Sequence, residues 1–382
     1  MKTRLFIFSI VTFLMCSLGT GVLLTWWSSG HHVQKTLKNE TLFDNKMVEN
    51  QRQYITFIMG EDTKADNPYF AHASNYYQQE IRNGLDTVIT NIRTLLDINQ
   101  YLNDNAPKNG LPWGEIRLIV HSNEWMGLSA PLMEGAKRTT LSGMKKAMEQ
   151  GLFKRLPENI ADTRTQLQLW GCGLGNNQAL IDIIGNAFGQ ATTYSPKHFV
   201  QYRKDEWGNM KRLLNRCYYT TFPTGYQPSW ATLAQRLEKA YPNSTVNWTN
   251  ALNTPTASRV DKAYHYSFKI PMVWLVSYED KASRPSVKTQ EEKDNWVANQ
   301  VELQAAFEQY HLDKSDFTWT VYRKMHTFSD GITEPSIKAI GLCTILCVLE
   351  PIGDPESGQG VAFLPLSPSL KDDNFYACSQ RF

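Results

Sequence analysis

Two short apolar runs, each stopped by a residue that can do chemistry, constrain this chain more than any other feature. Ile116-Arg117-Leu118-Ile119-Val120 follows the breakers Pro112 and Gly114 and runs straight into His121, while Leu167-Gln168-Leu169-Trp170 runs into Gly171-Cys172-Gly173-Leu174-Gly175. Apolar, β-branched runs bounded by Gly and Pro predict strands. Residues 85–102 set Leu85, Val88, Ile89, Ile92, Leu95, Leu96 and Leu102 on one face, which predicts an amphipathic helix. Residues 178–188 repeat that pattern with Leu180, Ile183, Ile184, Ala187 and Phe188 before a stop at Gly189. An earlier run, Tyr54-Ile55-Thr56-Phe57-Ile58-Met59, reads as a first strand. Strand and helix therefore alternate, and the expected fold is α/β with a mainly parallel sheet and helices on its faces. In such sheets reactive groups gather at the carboxyl ends of strands. His121 and Cys172 both follow such ends, so they meet if their strands are neighbours.

A thiol with an ordinary pKa of about 8.5 is only slightly ionised at neutral pH, and the thiolate is the form that attacks a carbonyl carbon. An adjacent imidazole takes the thiol proton, holds the thiolate as an ion pair and later protonates the leaving amine. The helix after Cys172 points its amino end at the sulfur, and backbone N–H groups at Gly171 and Gly173 are candidate oxyanion donors.

These two motifs, IRLIVHSN at 116–123 and LQLWGCGLG at 167–175, resemble those of the caspase-like cysteine peptidases of clan CD, in particular bacterial caspase-like domains. The resemblance spans about residues 52–205. It implies His121 as general base and Cys172 as nucleophile, a protein or peptide substrate, and no metal or organic cofactor. The family usually carries glycine soon after the histidine, whereas this chain has Ser122-Asn123 and reaches glycine only at Gly127. Either Ser122 or Asn123 supplies the oxyanion donor or a substrate contact, or the domain is a catalytically inactive relative serving as an envelope binding or scaffold module. Arg203 and Arg259 are candidates for a pocket reading an acidic side chain, and an acidic pocket is an equal alternative.

At the N-terminus, Lys2 and Arg4 precede an uncharged apolar stretch over 5–27. That charge order predicts export, as a cleaved signal peptide or a membrane anchor over 1–28, and places the protein in the cell envelope or outside the cell. Residues 29–50 read as a linker, 51–205 as the α/β core holding the dyad, and 206–382 as a mixed α/β region continuing or abutting that core. The later region carries strand-like runs at 270–276, 316–321 and 340–349 and a helical stretch at 295–310. A net charge of +2 with no basic stripe leaves nucleic acid without support as a partner. Cys343 and Cys347 lack the companion ligands of a zinc site, and no Gly-x-Ser-x-Gly elbow is present. If Cys172 is the free thiol of an exported chain, Cys217, Cys343, Cys347 and Cys378 can form two disulfides.

Overall fold

The computed structural model describes residues 51–63, 68–81, 85–124, 127–205, 207–254, 263–309, 311–327, 333–352 and 369–379. The expected leader, the linker at 29–50 and Arg259 lie outside these residues. In chain order the first half contains β1 (Tyr54–Ile58), α1 (Tyr69–Gln79), β2 (Asp86–Ile89), α2 (Leu95–Asp104), β3 (Glu115–Ile119), a short hairpin of β4 (Ser122–Asn123) and β5 (Gly127–Leu128), α3 (Leu141–Glu149), β6 (Gln166–Trp170), α4 (Gln178–Ala187) and β7 (Thr192–Pro196). Then come β8 (Phe199–Lys204), β9 (Met210–Phe222), α5 (Trp230–Ala240), α6 (Trp248–Leu252), β10 (Tyr264–Ser277), α7 (Gln290–Ala298), α8 (Val301–Gln309), β11 (Thr318–Thr327), β12 (Thr333–Pro351) and β13 (Tyr376–Ser379).

The molecule is mixed α/β, and its first sheet is mainly parallel. The strand order is β13-β7-β6-β3-β1-β2, with every neighbouring pair parallel except the last-formed edge, where β13 runs antiparallel to β7. Alternation along each strand explains why both faces are covered. Phe57, Leu118 and Leu169 pack with Leu95, Ile98, Met144, Leu180 and Ile184 of α2, α3 and α4. Their sequence neighbours Ile58, Ile119 and Trp170 face the other way, onto Tyr69, Phe70 and Tyr77 of α1 and Val200, Tyr202 and Leu214 of β8 and β9.

A second, antiparallel sheet in the order β10-β12-β9-β8, with β11 also on β12, carries α7 and α8 on one face and α5 and α6 on the other. The chain returns from it to finish the first sheet with β13. Among the described residues, no helix is long and apolar enough to cross a membrane.

Three expectations change here. The helix expected over 85–102 is a strand followed by a helix, because the β-branched pair Val88-Ile89 finds a parallel partner in β1, with Thr56 opposite Val88 and Phe57 opposite Ile89. Thr94, whose side chain accepts from the Asp97 N–H at 3.1 Å, then starts the true helix. The stretch at 295–310 is split between α7, opened by a Thr289/Glu292 capping box, and α8. Finally, among the described residues one disulfide forms instead of two. Cys217 on β9 bonds Cys347 on β12, while Cys172, Cys343 and Cys378 stay free.

Candidate functional site

β3 and β6 are immediate neighbours, and their register decides where the two reactive residues go. The parallel ladder ends with Ile119 opposite Trp170, and one further step is fixed by the Val120 N–H donating to the Trp170 carbonyl at 3.2 Å. His121 and Cys172 come next on both chains, at equivalent positions beyond strands spaced about 4.8 Å apart. Ser122 then joins the two loops, its hydroxyl donating to the Cys172 carbonyl at 3.0 Å. A β-carbon at residue 171 would lie 2.2 Å from Ser122 Oγ and 2.9 Å from its Cβ, so this close approach requires Gly171.

The His121 ring packs in a three-ring cluster with two aromatic residues of α1, its centroid 4.5 Å from Tyr69 at a tilt of 30° and 4.7 Å from Phe70 at 65°, while the Tyr69 and Phe70 rings meet edge-on at 5.1 Å. The Tyr69 hydroxyl donates to the Trp170 carbonyl at 3.2 Å, so the same residue ties the histidine loop to the cysteine strand. Burial pushes the imidazole down to about 4; the Asp62 charge opposes the shift and Arg138 adds to it. The Cys172 thiol donates to the Val200 carbonyl at 3.6 Å, and burial pushes its pKa up to about 11.

Both groups are therefore neutral at pH 7, unlike the ion pair expected from the sequence. Alkylation of Cys172 by iodoacetamide should be slow at pH 7 and climb toward about pH 11, since a raised pKa leaves about one thiolate in ten thousand at neutrality. Mass spectrometry across the pH range checks this, and an alkylation midpoint below pH 8 would contradict it.

The glycines of the turn are engaged. Gly171 N–H donates to the Leu169 carbonyl and Gly173 N–H to the His198 carbonyl, each at 3.0 Å, so neither is open to an oxyanion in this arrangement. The Cys172 N–H has no acceptor among the described residues. Ser122 offers a second donor by parity of the β4–β5 hairpin. The Ser129 N–H donates to the His121 carbonyl at 2.7 Å, which makes Ser122 and Leu128 a non-hydrogen-bonded pair, and the Ser122 N–H points away from β5. Asn123 sits opposite Gly127 on the hairpin.

Some of the site carried little signal in the sequence. Glu124 is buried beside the cysteine turn, accepting from Asn176 Nδ2 at 2.7 Å, while its backbone carbonyl accepts from Asn177 Nδ2 at 2.9 Å. Burial pushes its carboxyl up to about 7 against the Asn176 hydrogen bond. A charged residue three positions after the histidine was the available hint. The segment entering β8 also crosses the turn: the carbonyls of Lys197, His198 and Val200 accept from Asn176, Gly173 and Cys172. Arg203 lies farther along β8, near Tyr264.

Among the described residues, no three His, Cys, Asp or Glu side chains are arranged to hold a metal ion. Comparison of the chain with protein-family models, with curated proteins and with solved structures finds no match.

Proposed function

We propose that this chain is a caspase-like cysteine endopeptidase in which Cys172 attacks a peptide carbonyl and His121 serves as base and then acid. The observation that carries the reading is the register of β3 against β6, which brings His121 and Cys172 to equivalent positions at the carboxyl edge of adjacent strands. Substrate binding supplies what the resting site lacks. Sulfur attacks the carbonyl carbon as His121 takes the thiol proton; the imidazolium returns that proton to the leaving amine, and a thioester remains. Water, deprotonated by His121, then releases the acid and restores the thiol. This chemistry needs no metal or organic cofactor, and the partner is a protein or peptide.

The edge of the second sheet supports a peptide substrate. β8 is its outermost strand, and the Val200 and Tyr202 carbonyls point outward, where they accept from the Cys172 thiol and, at 3.0 Å, from His72 Nδ1. An extended peptide can add to such an edge, and its N–H in place of the thiol on Val200 would free Cys172 for attack. The charge order of residues 2–27 supports an exported protein of the cell envelope, attached to the membrane if the leader is uncleaved.

A second reading, an inactive caspase-like domain acting as an envelope binding or scaffold module, draws on the thiol's bond to Val200 and on the neutral state of both groups. Peptidyl acyloxymethyl ketones with Asp, Asn, Arg or Lys next to the reactive ketone separate the two. A peptidase gives a covalent adduct on Cys172 with at least one of them, found by peptide mapping and lost in His121→Ala. The inactive domain gives none.

A further inference from the structure

We infer that Asp62 is the positioning carboxylate of the dyad, holding His121 through the first turn of α1. This rests on His121 being the base. Asp62 lies in the loop after β1, on the same sheet edge as His121, and its two carboxylate oxygens accept the N–H groups of Phe70 and Ala71, both at 2.9 Å. Those bonds fix the start of α1, whose first two residues carry the rings that pack against His121. The loop itself is shaped for this contact. A β-carbon at residue 60 would lie 2.2 Å from the Phe70 ring, so Gly60 leaves the space that the ring fills.

Geometry and charge thus act in one direction. The carboxylate sets the rings that orient the imidazole, and its negative charge offsets part of the burial that disfavours imidazolium. The groups facing His121 are Tyr69 and Phe70 from α1, Asp62 from the loop after β1 and Arg138 from the segment before α3. Arg138 is the opposing charge. A base that must accept a proton from a thiol and return it to an amine benefits from a nearby fixed anion, as long as the anion does not itself take the proton. Both Asp62 oxygens are already engaged by backbone N–H groups.

The test uses Asp62→Asn, which removes the charge but keeps an oxygen for one of the two N–H groups. Asp62→Ser is the second variant in case the first folds poorly. The His121 midpoint is read by NMR titration of the imidazole in the full-length protein, in parallel with its melting temperature. The expected result is a midpoint lowered by about one unit with the melting temperature little changed. The same downward shift should appear in an Arg138→Gln background, where the midpoint starts higher. For a cleaved peptide, kcat/KM should fall about tenfold in Asp62→Asn but change less than about twofold when His121→Ala is already present. An unchanged midpoint, or an equal loss with and without His121, overturns the inference and reduces Asp62 to a helix cap. Since the titration needs no turnover, that failure is distinct from an absence of cleavage, which would count against the peptidase reading.

Discussion

His121→Ala is expected to lower kcat/KM for peptide cleavage by about 10²- to 10⁴-fold, or about 3 to 5 kcal/mol of transition-state stabilisation, and Cys172→Ala to remove turnover. The size follows from the resting state. A thiol pushed up to about 11 keeps almost no thiolate at pH 7, so the proton must leave during the reaction, and His121 is the side chain aligned by register to receive it. Its low proton affinity in the unliganded site is set by burial, and a negatively charged sulfur or oxyanion beside it shifts that balance toward imidazolium. Alanine would also leave a gap beside Tyr69 and Phe70, so His121→Phe is the cleaner comparison: it keeps a ring in the aromatic cluster but has no base. Both variants should lose activity to a similar extent while melting near the wild type. Full activity in His121→Phe would remove the imidazole from the mechanism and leave Cys172 without its assigned base.

What the sequence made legible was the part of the site governed by strand chemistry. The runs ending at His121 and Cys172 alternate cleanly between two faces and are bounded by Gly and Pro, so their type and their ends followed from local pattern. That β3 and β6 are adjacent did not follow, because pairing is a property of the whole sheet. The misread stretch at 85–102 shows the same limit. Val88 and Ile89 fit a helical face and a strand equally well, and β1 decided between them. The turn after Cys172 was foreseen as glycine-rich, but the carbonyls that occupy its Gly171 and Gly173 N–H groups come from Leu169 and His198. The His198 partner is set by how β8 returns across the first sheet. Glu124, Asp62 and the Tyr69-Phe70 ring pair stayed hidden for a related reason. Each reaches the site from a loop or helix with no motif of its own.

Arg117→Met should destabilise the fold by about 3 to 5 kcal/mol, the usual cost of removing one partner from a buried ion cluster. Arg117 sits on β3, four residues before His121, on the face covered by α1. Its guanidinium donates to both oxygens of Glu115 at 2.9 and 2.8 Å and to Asp86 on β2 at 3.1 Å, and it lies 5.4 Å from the centre of the Tyr77 ring. Glu115 also accepts from Gln168 on β6, and Gln168 in turn accepts from the Trp170 indole at 2.9 Å. A polar ladder therefore runs beneath α1 from β2 through β3 to β6, the strand that ends at Cys172. Methionine restores most of the volume but takes the guanidinium away from the Asp86 and Glu115 carboxylates, whose desolvation it offsets. Urea unfolding at pH 7 should show the loss as a lower midpoint with an unchanged slope. Arg117→Lys should recover only part of the loss, since a single ammonium cannot make the forked contact to Glu115 while also reaching Asp86. A loss below about 1 kcal/mol in Arg117→Met would mean that the ladder tolerates apolar replacement, so that β2, β3 and β6 are aligned by their apolar faces alone.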